Sequence, residues 1–278
     1  PNYIYPLRDV ESQFNIELKQ GSEIRKLGSL SFSQVLREAY PGAVYYYTGD
    51  AFRVYKVNIQ SKTILTRREK RYTTSPSRLP TLVYPNISEG NVFSVRRHHD
   101  LLVFESGLQI RESISGFKEH RGSTESPPIN YPIKSKQTNV FFDQPRFTRY
   151  YFTSGVVFTH IKFNDSNIQL ENIATLLYEA FLISLPFERQ DLDYAVDRHR
   201  VTKSGFFEIG DRFITIYDKT YGSLRLSGHV IREGLMSSVL FQAIELAELD
   251  ESFAINKESY ELLEILLKDS KLLGEASS

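Results

Sequence analysis

The sequence predicts an α+β protein in which a small antiparallel β-barrel precedes an α+β domain with a β-hairpin and C-terminal helices. Three observations support this prediction. Short alternating segments separated by polar turns dominate residues 1–120. Apolar residues at helical spacing are concentrated in the C-terminal part of the chain. The 278 residues are 41% hydrophobic and 24% charged, which is typical of a folded protein and not of a disordered or fibrous one.

The first part of the chain is predicted to be mainly strands with one short helix. Residues 1–30 form short strands around a turn at residues 20–22. A helix follows at residues 31–40, with a serine cap at its start and Pro41-Gly42 after its end. The further predicted strands are residues 43–48, 51–59, 92–95, 101–104 and 108–117. Turns are expected at Gly49-Asp50 and at residues 105–107.

The second part is predicted to mix helices and strands. Loop-forming residues at 121–134 predict a linker, which separates a barrel domain at 1–120 from an α+β domain at 135–278. Within the second domain we predict a strand at 151–163, a hairpin of 206–209 with 212–217, and helices at 168–185, 234–249 and 257–273.

Several kinds of chemistry are excluded by residue types that are missing. The chain has no cysteine, which removes disulfides, thiolate metal sites and thiol nucleophiles. It also lacks the glycine-rich phosphate loop of ATPases, the G-x-G-x-x-G of dinucleotide-binding folds and the G-x-S-x-G of hydrolases. His98 and His99 are adjacent, so on a strand their side chains point to opposite faces. We therefore predict no metal and no cofactor in this chain.

The ends and the hydropathy pattern predict where the protein resides. No apolar run reaches the roughly 20 residues that a bilayer span needs, and the first residues lack an apolar signal core. We expect a cytoplasmic protein without a membrane partner. Because the sequence starts with Pro1 and not with Met, we also expect it to be a piece of a longer chain.

The net charge of zero conceals an uneven distribution. Lys and Arg minus Asp and Glu give +9 for residues 51–160 and −8 for residues 161–278. Cations that neutralise phosphates, with aromatic rings among them that stack on bases, favour single-stranded nucleic acid. The predicted nucleic-acid-binding residues are Arg67, Arg68, Lys70, Arg71, Tyr72, Arg96, Arg97, His98, Lys134, Lys136, Arg146 and Arg149. Solvated strand edges, which Lys and Arg protect against aggregation, are the alternative interpretation.

A second alternative is a magnesium-dependent nuclease. Asp9 followed by Glu17 and Lys19 has the D…E-x-K order with which restriction-type nucleases hold Mg²⁺ and a water. A three-residue pattern of this kind is common by chance, and the nuclease is the weaker hypothesis.

The order of several short motifs resembles a known family. In the first part these are Tyr40-Pro41-Gly42-Ala43-Val44-Tyr45, followed by Phe52-Arg53-Val54, and the strand pair that ends at Gly116-Phe117-Lys118. In the second part they are residues 173–180, Asp191-Leu192-Asp193, and residues 213–218 with the turn at 219–223. Together they resemble the C-terminal accessory region of superfamily-two DEAD/DEAH-box DNA helicases of the YprA/Mrf group, including its MZB domain.

The resemblance implies a fold, partners and a set of motif residues. It implies a β-barrel followed by an MZB-like domain, with Pro41, Gly42, Asp191, Asp218 and Gly222 as structural motif residues. The four cysteines that hold zinc in that family have no counterpart, so a zinc-free branch is implied, as in phage-defence relatives. ATP and Mg²⁺ belong to the motor domains of the parent helicase, and this chain alone is no enzyme.

The implied function is to grip single-stranded or junction DNA and to brace helicase motor domains, in cis or in trans. The alternative is a protein-interaction scaffold that binds subunits of a phage-defence complex.

Overall fold

The protein is described by a computed structural model, which covers residues 11–133, 139–200, 208–219 and 224–275. The strands, in chain order, are β1 Gln13–Gln20, β2 Glu23–Ser31, β3 Val44–Tyr47, β4 Asp50–Asn58, β5 Thr63–Arg68, β6 Thr73–Arg78, β7 Leu82–Asn86, β8 Val92–His98, β9 Leu101–Arg121, β10 Thr124–Glu125, β11 Ile129–Asn130, β12 Phe147–Thr159, β13 Leu192–Arg198, β14 Arg212–Asp218 and β15 Gly274–Glu275. The α-helices are α1 Phe32–Glu38, α2 Leu170–Ser184, α3 His229–Arg232, α4 Met236–Leu249 and α5 Lys257–Ser270. Short 3-10 helices lie at Ile161–Asn164 and Glu251–Phe253. Within these described residues, no helix combines the length and the apolar character needed to cross a membrane.

The chain forms two compact units, each made of separate stretches of sequence. Among the described residues, the first unit contains 11–81 and 111–150, and the second contains 82–110 and 151–275. The units therefore do not follow the contiguous division at 1–120 and 135–278 that loop composition predicts. The predicted linker itself contains β10 and β11, both of which pair with β9.

The first unit is built on a five-stranded sheet with the order β2-β1-β5-β4-β3. Adjacent strands run antiparallel except for β1 and β5, which are parallel from Asn15↔Thr63 to Leu18↔Thr66. The prediction of an all-antiparallel barrel is wrong at this pair. Alternation along the sequence predicts several of these strands but not β5, and the crossover from β2 to β3 through α1 decides which strands become neighbours.

Local sequence signals place α1 and the turn that follows it. The Ser31 hydroxyl accepts a hydrogen bond from Gln34 N at 3.3 Å, and Ser31 N donates to Gln34 Oε1 at 2.9 Å, which forms a reciprocal capping box. After the helix, Gly42 has φ +91°. A side chain at Gly42 would lie 2.1 Å from the Phe117 ring, so the turn requires glycine for two separate reasons.

Strand β9 differs from its prediction. A turn was expected at Glu105-Ser106-Gly107, but a single strand of 21 residues runs through these positions. Glu105 and Ser106 are completely buried. In the sequence, Glu105 and Ser106 resemble the polar residues of a turn. Glu105 is tolerated inside the strand because Arg225 and Arg232, which lie far away in the sequence, neutralise its charge.

The second unit contains a sheet with the order β13-β14-β12-β9-β8-β15. Its main hydrophobic core joins this sheet to α2, α4 and α5 through residues such as Val156, Phe181, Ile216, Leu240 and Leu263. The helices confirm the predicted apolar periodicities within a few residues at each end. The predicted partner of β14 is wrong, because β14 pairs with β13 from Arg198↔Arg212 to Leu192↔Asp218. Residues 201–207 lie outside the described chain.

We predict that Gly42→Ala destabilises the protein more than Gly49→Ala. Both glycines have positive φ, but a Cβ at Gly49 meets nothing within 4 Å, whereas at Gly42 it overlaps Phe117. Gly49→Ala should cost about 1 kcal/mol for the left-handed backbone, and Gly42→Ala a further 1–3 kcal/mol or so for overpacking. Urea denaturation of the two variants measures the difference, and equal losses would contradict the steric explanation.

Candidate nucleic-acid interface

The basic cluster predicted at residues 67–72 lies at the end of β5 and in the loop to β6. Residues 67–72 form the basic loop. The side chain of Arg68 is 61% exposed and lies 3.5 Å from Asp50. Lys70 and Arg71 are exposed in the loop. Arg67 is half-buried and donates from Nη1 to the Asn139 carbonyl oxygen at 3.0 Å. Three of the four cations therefore face solvent, whereas Arg67 forms a hydrogen bond within the first unit.

Tyr72, the aromatic residue of this cluster, faces the interior. It is 9% exposed and its hydroxyl accepts a hydrogen bond from Arg53 Nη2. The Arg121 guanidinium lies over the Tyr72 ring at 4.6 Å. The ring is covered in this way and therefore anchors the basic loop, which leaves no face of Tyr72 for stacking on a base.

Arg53 holds this region together. Its buried guanidinium donates to Glu119 Oε1 at 2.7 Å, to Glu69 Oε2 at 3.3 Å and to the Gly42 carbonyl oxygen at 2.5 Å. The two carboxylates compensate the buried charge, and the three acceptors lie on different parts of the first unit. These hydrogen bonds therefore fix the position of the residues from which the basic loop extends.

A cavity of about 240 Å³ opens in the first unit next to the basic loop. Its lining residues are Arg37, Glu38, Tyr40, Val44, Tyr45, Tyr46, Thr73 and Thr74. Burial raises the pKa of Tyr40 to about 12, so its hydroxyl remains protonated at neutral pH. The cavity has three tyrosine side chains in its lining, and its charged lining residues are Arg37 and Glu38.

Sequence reasoning did not single out Tyr46 of β3, which lies beside the basic loop. Tyr46 is 42% exposed and its hydroxyl donates to the Tyr72 carbonyl oxygen at 2.9 Å. This bond ties an exposed ring to the basic loop. The signal was available in the run Val44-Tyr45-Tyr46-Tyr47, since alternation along a half-buried strand predicts outward-facing aromatic rings.

The remaining predicted cations are distributed over both units. Arg146 is exposed in the first unit. Arg149 is 5% exposed and is bound between Glu112 at 2.7 Å and Glu11 at 2.6 Å. Its charge is neutralised inside the unit and does not reach the surface. Lys134 and Lys136 lie outside the described residues.

The second cluster, Arg96, Arg97 and His98, belongs to β8 of the second unit. Arg97 is exposed, whereas Arg96 and His98 are half-buried. The expectation that His98 and His99 point to opposite faces is wrong. His99 has φ +49° in the turn after β8, and this left-handed conformation brings the two ring centroids to 4.1 Å.

The family motif residues lie at turns and strand ends. The Pro41 carbonyl oxygen accepts from the Tyr131 hydroxyl at 2.5 Å. Asp218 is fully buried, and its carboxylate accepts from Leu226 N at 2.9 Å and from Ser227 N at 3.1 Å. Asp191 accepts from Glu188 N at 2.9 Å. These hydrogen bonds fix the path of the backbone at the turns in which the motif residues lie. Gly222 lies outside the described residues.

The nuclease hypothesis depends on a residue that is not described. Asp9 lies outside the described residues, and Glu17 and Lys19 lie two positions apart on β1. Glu17 is half-buried and Lys19 is exposed.

The comparisons show a shared fold. The chain is similar to the DUF1998 helicase MrfA in a crystal structure bound to DNA, with a TM-score of 0.60, 12% identity and coverage of 93% of this chain. A structure of MrfA bound to DNA and AMPPNP gives 0.51, 14% and 92%. This chain covers 34% and 31% of those chains, so it spans about a third of the helicase's length. No protein-family model and no curated protein matches the sequence.

The pKa of Glu119 generates a prediction for acid stability. Burial pushes this pKa upward, but the hydrogen bond and charge of Arg53, with those of Arg121, outweigh burial and hold it below its ordinary value of 4.5. The stability from ionised Glu119 is therefore complete above pH 4.5 and is lost as the pH falls through the lower folded pKa.

Glu119→Gln should lower the free energy of unfolding by about 1–3 kcal/mol at pH 7. The difference from the native protein should shrink at a pH well below 4.5, where the native carboxylate becomes protonated, because the folded pKa lies below that ordinary value. Urea denaturation at both pH values measures this. Glu125→Gln is the control, because Glu125 forms an exposed pair with Lys118, and such pairs contribute little. A pH-independent loss in Glu119→Gln would contradict the assignment.

Proposed function

We propose that this chain is an accessory C-terminal region of an ATP-dependent superfamily-two DNA helicase, or of its partner subunit, and that it grips single-stranded or junction DNA and braces the motor. The supporting observation is the fold likeness to DNA-bound MrfA over 93% of this chain and 34% of the helicase chain. ATP and Mg²⁺ are bound by the motor domains in this proposal, because the sequence has no phosphate-binding loop.

The first unit supplies the proposed DNA grip. Arg68, Lys70 and Arg71 present three exposed cations on one short segment that the Arg53 network fixes at its base. Cations of this kind bind phosphates without reading sequence. Tyr46 adds an exposed ring that is hydrogen-bonded to the same loop, and such rings stack on unpaired bases. Together they bind a strand by its backbone and by one or more bases.

The second unit is proposed to be MZB-like and free of the family's cysteine-bound zinc. Strands β13 and β14 form its antiparallel hairpin, and α2 packs on them, with Tyr178 Oη donating to the Leu192 carbonyl oxygen at 3.1 Å. Asp218 at the end of β14 holds the chain that leads into α3 through its bonds to Leu226 and Ser227. A hydrophobic core of this size provides a rigid body against which motor domains can pack.

Charge reversal tests the grip. The triple variant Arg68→Glu, Lys70→Glu and Arg71→Glu should weaken binding of fluorescent single-stranded DNA by at least about tenfold at low salt. It should also reduce the slope of log affinity against log salt by about 2. Fluorescence anisotropy at two salt concentrations measures both quantities. Arg67 is left unchanged because of its bond to Asn139.

The matched control reverses three cations of the C-terminal helix region, Lys257, Lys268 and Lys271, all exposed. This control should bind DNA like the native chain. Equal weakening in the two triple variants, or no binding by the native chain at low salt, would reject the DNA grip. Melting curves of both variants show whether a loss of binding reflects a loss of folding.

Two substitutions at one position test base stacking. Tyr46→Ser removes the exposed ring and should weaken binding by about 1–3 kcal/mol. Tyr46→Phe keeps the ring but loses the hydrogen bond to the Tyr72 carbonyl oxygen, and should bind nearly as well as the native chain. If both variants weaken binding equally, the hydroxyl and not the ring carries the effect, and stacking is rejected.

A further inference from the structure

Two histidines and one aspartate of the second unit converge at a place that the proposed DNA grip does not use. His98 ends β8, His99 lies in the turn to β9, and Asp269 lies in the last turn of α5. Each offers one ligand atom, and these atoms lie within 4.8 Å of one another. The left-handed backbone at His99 is what folds the second ring back beside the first.

One polar atom of this cluster is left unsatisfied by the protein itself. His98 Nε2 is buried and has no hydrogen-bond partner, and a buried polar atom without a partner costs free energy. The neighbouring Asp269 is 8% exposed. An unpartnered imidazole nitrogen within 4.8 Å of a second imidazole and a carboxylate indicates a ligand common to the three groups.

His160, a close neighbour, does not satisfy the carboxylate. Its Nδ1 accepts from Lys162 N at 3.1 Å.

We propose that His98, His99 and Asp269 bind a divalent transition-metal ion, with Zn²⁺ as the representative ion and water completing the coordination. Two imidazole nitrogens and one carboxylate oxygen suit Zn²⁺ and its neighbours, whereas Mg²⁺ and Ca²⁺ prefer oxygen ligands alone. Tetrahedral Zn²⁺ with bonds of about 2.0–2.1 Å needs ligand atoms roughly 3.4 Å apart. The ligand atoms now lie within 4.8 Å of one another, so ion binding in this proposal requires the exposed His99 side chain to move closer.

The bound ion joins the turn between β8 and β9 to the end of α5, two segments that are far apart in the sequence. It neutralises the buried carboxylate and gives His98 Nε2 a partner. The site is independent of DNA binding and contains none of the cations of the basic loop. It also differs from the cysteine site that the helicase resemblance implies, since that site has no ligands here.

The test uses the whole chain, freed of metal by a chelator and then titrated with ZnSO₄. Calorimetry should show one equivalent bound, and saturating Zn²⁺ should raise the melting temperature by several degrees. His99→Asn removes the imidazole but tolerates the left-handed backbone, and should weaken Zn²⁺ binding by at least about tenfold. Asp269→Asn should also weaken it, which keeps the proposal testable if one variant folds poorly.

His229→Ala is the control. His229 lies on the same unit, 2.7 Å from Glu233, and forms an exposed pair outside the proposed site. This variant should keep the native stoichiometry, affinity and melting shift. The proposal is overturned if the native chain binds no stoichiometric Zn²⁺, or if His99→Asn and His229→Ala respond to it equally.

Discussion

The first unit depends on the pairing of one buried charge, the guanidinium of Arg53. Taking a cation out of water costs several kcal/mol unless carboxylates and other acceptors surround it. Glu69, Glu119 and the Gly42 carbonyl oxygen provide those acceptors, and the Tyr72 and Phe117 rings lie within 6 Å of the guanidinium carbon. These partners lie on the turn after α1, at the end of β5 and on β9. One interaction thereby fixes segments that are distant in sequence and sets the position of the basic loop.

The second unit also contains a buried charge that is paired with opposite charges, and here the buried group is a carboxylate. Glu105 is completely buried in β9, and Arg225 binds it through Nε at 2.7 Å and Nη2 at 2.6 Å. Arg232 adds a bond at 3.0 Å, and Gly228 leaves the space that the carboxylate occupies, since a Cβ there would lie 2.2 Å from it. A paired, bidentate carboxylate of this kind fixes the segment around α3 onto the sheet. Removal of Arg225 would leave Arg232 alone to compensate the buried carboxylate of Glu105.

This use of charge explains why a count of basic residues overstates the exposed positive charge. Arg53 and Arg149 contribute to the positive segment of the sequence, but both are neutralised inside the first unit. Arg68, Lys70 and Arg71 are exposed cations on one short segment, and Arg97 and Arg146 are exposed elsewhere. The exposed ring of Tyr46 carries no charge, so a search for clusters of charge does not find it.

Short-range sequence patterns account for much of the local structure of this protein. Serine caps, glycine turns and apolar periodicity act over a few residues, so α1, α2, α4, α5 and the first hairpin could be predicted from neighbours along the chain. The family resemblance also agreed with the fold that MrfA shares. Tertiary structure alone decided the parallel pairing of β1 with β5, the burial of Glu105 in a continuous β9, and the meeting of His98 and His99 with Asp269. The reason is physical: the free energy of a buried charge or an orphaned polar atom depends on partners brought from elsewhere in the chain, and no local pattern encodes where those partners lie.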